Sequence, residues 1–101
     1  MNLIELFLPL ADNDGWRFVP SKFAQVRNTL IDKFGGQTTF TRAPAEGVED
    51  DGRRARFDEL IVFEVMTDAV DEAWWTNYRQ HLETVFRQDR ILVRTSKVTL
   101  L

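Results

Sequence analysis

The chain holds 101 residues, 44% hydrophobic and 29% charged, the size and make-up of one ordinary globular domain with room for a real core. A net charge of −3 argues against nucleic acid and anionic membrane surfaces as partners. With no cysteine and one histidine, disulfides, thiol nucleophiles and the usual zinc ligand sets are excluded, and no metal or cofactor is expected.

The opening run MNLIELFLPL is apolar, but it has no basic leading region, carries Glu5 and lacks a small-residue cleavage site. It reads as a first strand over Leu3 to Leu8, and the chain as cytoplasmic, complete and without a membrane span. Pro9 and the turn residues Asp12-Asn13-Asp14-Gly15 end that strand. The turn superficially resembles part of a calcium loop, yet Ser21 stands where the bidentate glutamate belongs, so an Asx turn is the better reading.

A helix is predicted from Pro20 or Ser21 to Phe34, with Phe23, Val26, Leu30, Ile31 and Phe34 at helical spacing and Gly35-Gly36 as its stop. A threonine-rich strand, Thr38 to Arg42, follows. The glycine-containing segment Ala45 to Arg56, acidic and then basic, reads as an exposed hairpin loop whose charge runs neutralise each other.

Phe57 to Met66 is the strongest strand, apolar on both sides over Leu60 to Phe63 and therefore placed inside a sheet. A second helix runs to about Phe86, capped by Asp68 with Asp71 and Glu72 in its first turn. The last strand is Ile91 to Thr95. One α+β domain over residues 1–101 results: a ferredoxin-like βαββαβ chain, with a four-stranded antiparallel sheet and two helices on one face.

Alternation divides the sheet residues. Ile4, Leu6, Leu8, Ile61, Phe63, Val65, Ile91 and Val93 are expected beneath the helices. Leu3, Glu5, Phe7, Leu60, Val62, Glu64, Met66, Leu92 and Arg94 fall on the other face. That face is too apolar for a monomer, which predicts a homodimer packed sheet to sheet, with Glu5–Arg94 and Glu64–Arg42 as cross-strand ion pairs. Each glutamate having an arginine partner, structural pairing is preferred to a catalytic Glu5–Glu64 couple. The third strand, DELIVFEVM, lacks the basic and stacking residues of RNA-binding domains of the same topology.

The second helix gathers the candidate chemistry. Trp74, Tyr78 and His81 share one side, and Trp75 overlaps it. Such residues suit a pocket wall, with His81 moving a proton, Tyr78 as its partner, and Trp74, Trp75 and Phe63 lining the ligand space. They equally suit a core helix whose aromatic bodies are buried and whose polar tips stay wet, and this second reading is preferred. Two adjacent tryptophans cannot both face one core. No glycine-rich phosphate loop follows a strand, and no G-x-S-x-G elbow is present.

FGG, TTFTRAPAEG, DELIVFEVMTDAVDEAWWTNYRQHLE and QDRILVR, together most of the chain, resemble a group of small uncharacterised bacterial proteins. More broadly the chain is similar to the dimeric α/β-barrel superfamily, which includes cofactor-free monooxygenases and dehydratase-like proteins. The resemblance implies sheet-to-sheet dimers with a pocket between the sheet and helices of each protomer, and it brings no catalytic motif. The expected function is a homodimer binding a small organic molecule in a helix–sheet cleft. The alternatives are a cofactor-independent monooxygenase- or isomerase-like enzyme working through His81, and a regulatory module holding its ligand at the dimer interface.

Overall fold

Alternating and helical hydrophobic periods follow one another along the chain, and the computed structural model follows them closely. It describes residues 1–35, 38–43 and 60–101, with backbone alone for 38–43. The elements are β1 (Asn2–Pro9), α1 (Pro20–Phe34), β2 (Thr38–Ala43), β3 (Leu60–Thr67), α2 (Glu72–Val85) and β4 (Leu92–Lys97). The strands form a four-stranded antiparallel sheet in the order β2-β3-β1-β4, an α+β arrangement compatible with a ferredoxin-like fold. The loop expected over Ala45 to Arg56 lies outside the described residues.

The division of the sheet into two faces is as the alternation requires. Ile4, Leu6, Leu8, Phe63 and Val65 are at most 1% exposed. Val26 and Leu30 of α1 and Trp75 and Leu82 of α2 join them in one core, so both helices lie over the same face. Ile31, one residue on from Leu30 and about 100° around the helix, is 41% exposed and not a core residue as its spacing suggested.

On the other face the register sets Leu3 opposite Met66, Phe7 opposite Val62 and Leu92, and Glu5 opposite Glu64 and Arg94. Glu5 and Arg94 form the expected ion pair at 2.8 Å, and the Arg94 guanidinium also lies 4.9 Å from the Phe7 ring centre. The second expected pair is not directly opposed: Glu64 faces Thr39, while Arg42 faces Ile61.

The helix ends explain the shifted boundaries. α2 begins three residues later than Asp68 would place it, because Asp71 is the residue whose carboxylate accepts from the Trp74 amide, at 3.1 Å. Asp68 sits instead in a bend whose carbonyl accepts from the Asn2 side chain. α1 starts differently: Val19 is extended and offers no side-chain acceptor, and Pro20 supplies a preset φ at the first helical position. Its end is Gly35, at φ +76°, a conformation open to glycine at little cost.

At the far end of α2 the Gln88 amide reaches the Glu83 carbonyl and the Arg87 amide reaches that of Thr84, with Arg87 at φ +51°. This is a Schellman motif with arginine where glycine is usual. The Ile91 amide donates to the Glu83 carboxylate at 3.0 Å, outside the sheet ladder, so β4 begins at Leu92 although Ile91 itself is buried.

Candidate functional site

The adjacent tryptophans of α2 differ in burial but stay in edge-on contact, their ring centres 4.9 Å apart. Trp75 is 5% exposed and stacks on Phe34 of α1, the ring centres 5.5 Å apart and the planes at 11°. Trp74 is half-buried, edge-on to Phe34 at 5.3 Å and stacked on Tyr78 at 4.9 Å. Tyr78 in turn stacks on His81 at 6.2 Å, and His81 is exposed. Lys33 of α1 lies over Trp74, 5.5 Å from the ring centre. This run of rings joins the two helices. It gives α2 its aromatic content through packing, the plainer of the two sequence readings.

Burial pushes the Tyr78 phenol above its ordinary pKa, and a hydrogen bond with the Thr29 side chain partly opposes that. The pair Tyr78–His81 thus stands at the outer end of the aromatic run, and neither residue borders either of the cavities described next. Among the described residues no cluster of three His, Cys, Asp or Glu side chains offers a metal site.

The larger cavity lies on another part of the helix layer. It has a volume of about 470 Å³ and is walled by α1, the segment leading into it, and the sheet. Pro20, Phe23, Ala24 and Arg27 of α1 line it at successive helical steps, with Phe18 before the helix and Ile61 and Phe63 from β3 below. Ala24 opens the space, since its side chain ends at Cβ between the longer Phe23 and Arg27. Arg17 and Arg27 are both exposed and border the apolar interior.

Local structure holds this wall in place. Phe18 packs edge-on to Phe86 at 5.0 Å, and Phe23 lies 5.4 Å from the same ring. Lys22 donates to the Val85 carbonyl at 3.0 Å, at the negative end of the α2 dipole, and its ammonium is 5.0 Å from the Phe18 ring centre. The loop ahead of α1 is closed by Asp12, whose carboxylate accepts from the amides of Asp14 and Trp16 and meets Arg87 at 3.5 Å. These bonds give the Asx turn its own structural use for that carboxylate.

A smaller hollow of about 180 Å³ is lined by Trp75, Val70, Thr76 and Val93, among others. Among the described residues no group accepts a hydrogen bond from the buried Trp75 indole N–H.

Of the residues expected to line a ligand space, Phe63 borders the larger cavity and Trp75 the smaller, while Trp74, Tyr78 and His81 border neither. As cleft residues Phe18, Ala24 and Arg27 fall outside the sequence expectations, in which Phe23 figures only in the apolar spacing of α1. The usable signal was the stripe Pro20, Phe23, Ala24, Arg27, one small residue between large ones beside the Val26–Leu30 core stripe. Comparison with protein-family models, curated proteins and solved structures finds no match to the chain.

Proposed function

We propose that the chain is a ligand-binding α+β module of the ferredoxin-like, dimeric α/β-barrel type, taking a small organic molecule in the cleft between α1 and the sheet. The observation that carries this reading is the cavity itself. Its volume, about 470 Å³, lies within the range of small-molecule sites, and three phenylalanine side chains, Phe18, Phe23 and Phe63, supply an apolar interior.

The partner chain in this reading is a second copy. The open sheet face supports it: Leu3, Phe7, Leu60, Val62, Met66 and Leu92 form an apolar field around the Glu5–Arg94 pair, and Leu92 is 54% exposed. Packing two such faces together covers this field and leaves both clefts on the outer, helical sides.

The catalytic alternative uses Tyr78 and His81. Their position at the exposed end of an aromatic run, away from the cleft, favours binding over proton transfer. The regulatory alternative holds its ligand between two sheets, a space that only a second copy would complete.

A thermal-shift screen of small organic compounds separates these readings. Compounds that stabilise the wild type are expected to lose their effect on Ala24→Trp, which fills the cleft, and to keep it on His81→Ala. The opposite pattern would move the site to α2 and overturn the cleft assignment.

A further inference from the structure

From the charges around this cleft we infer that its ligand is an amphipathic acid: a flat or branched apolar body carrying a carboxylate, sulfonate or similar anionic group that Arg27 receives. The inference rests on the cleft reading and names the chemical class of its occupant.

The interior presents aromatic rings and Ile61, which reward burial of an apolar body but select nothing about its polar end. Among the described residues the charged side chains on the wall are Arg17, which has an interaction of its own, and Arg27. Arg27 stands one turn beyond Phe23 and Ala24 on the same stripe, so its guanidinium sits at the edge of the apolar surface those residues make. No ion pair engages Arg27 among the described residues.

The start of α1 strengthens the same sign. Its first turn holds no acidic residue and no side-chain cap, so α1 itself brings no carboxylate to the positive end of its dipole. A protein with net charge −3 thus sets the Arg27 guanidinium, which has no ion-pair partner among the described residues, on the border of an apolar cleft that also includes Pro20 at an uncapped helix start. A guanidinium receives a planar acid group through paired N–H donors, a geometry that also fixes which way the ligand lies. A neutral hydrocarbon would leave that donor set unused.

Two fluorescent probes with a common body test the assignment. 1-Anilinonaphthalene-8-sulfonate and N-phenyl-1-naphthylamine share the same fused and pendant rings, and only the first carries an anion. Each is titrated into the wild type, Arg27→Gln and Ala24→Trp at fixed ionic strength, with circular dichroism confirming that the variants are folded. Arg27 is exposed, so its replacement leaves the core untouched.

The sulfonate is expected to bind the wild type about tenfold more tightly than the neutral probe, the size of one charge-assisted contact. Arg27→Gln should remove most of that preference while leaving the neutral probe within about twofold of its wild-type affinity. Ala24→Trp should weaken both probes. Equal affinities in the wild type that Arg27→Gln leaves unchanged, with both probes still sensitive to Ala24→Trp, would overturn the acid assignment and leave the cleft standing. If a folded Ala24→Trp binds both probes as the wild type does, the cleft itself is refuted, and the acid assignment with it.

Discussion

Replacing Trp75 by phenylalanine should cost far less than the loss of a buried tryptophan suggests. The indole is 5% exposed, its ring stacks on Phe34 at 11°, and its N–H donates to no group among the described residues. Phenylalanine keeps a ring for Phe34 and gives up roughly 40 Å³, which at about 24 cal/mol per Å³ of cavity costs about 1 kcal/mol. Lost apolar burial adds about another 1 kcal/mol at ~25 cal/mol per Å². Against this, an unsatisfied buried donor is itself worth about 1–3 kcal/mol of destabilisation, and that penalty disappears. The two sides nearly cancel, so the net change should lie within about 1 kcal/mol of zero, whereas Trp75→Ala should cost about 3–5 kcal/mol. Urea unfolding followed by far-ultraviolet circular dichroism, at one protein concentration, measures both. A loss above about 2 kcal/mol for Trp75→Phe would refute the reasoning, showing that the N–H is satisfied in solution by a buried water.

Further outcomes follow from the same geometry. Tyr78 is the one tyrosine in the chain, so absorbance at the tyrosinate band titrates a single group; its midpoint should lie above that of free tyrosine, because burial disfavours the charged form. Since the folded pKa is the raised one, this group's stabilising contribution is intact below the ordinary tyrosine pKa of 10.0 and is lost as pH rises through the folded value; Tyr78→Phe should remove that alkaline decline. Glu83 behaves oppositely: the Ile91 amide, then Arg79, holds its carboxyl below the ordinary 4.5, so its stabilising contribution is present above that pH and fades as pH falls through the folded value. Thermal melts of Glu83→Gln should therefore lie below wild type near neutrality and converge with it in acid. Leu92→Asp, on the open face, should leave the fold intact and yield monomers by sedimentation at micromolar concentration, where the wild type is expected to be a dimer; a monomeric wild type would sink the dimer proposal.

The sheet was legible because period-two alternation places Ile4, Leu6 and Leu8 on one side whatever else surrounds them, and the buried residues obey it. The Glu5–Arg94 pair was legible for the same reason, being a statement of register. What escaped were choices between near neighbours. Asp68 and Asp71 are chemically identical caps, and only the bend at Asp68 and Ala69 decides between them. Ile91 was expected in the ladder because nothing local announces that Glu83, eight residues earlier, will take its amide. The cleft escaped because a cavity is a property of what side chains leave unfilled. The aromatic density of α2 drew attention to residues that pack, while the space opened beside α1, where Ala24 contributes little.

The unlike starts of the two helices have a kinetic consequence. α2 begins under an aspartate that closes its first turn, whereas α1 begins at Val19 without one. Pro20, Phe23 and Ala24 therefore wall the cleft from the end of a helix that frays most readily, with the Lys22 bond to Val85 acting as a catch. Those first turns should then open locally more often than the first turns of α2. Amide hydrogen exchange would record it as faster turnover in the first turns of α1 than in those of α2, slowed when the cleft is filled.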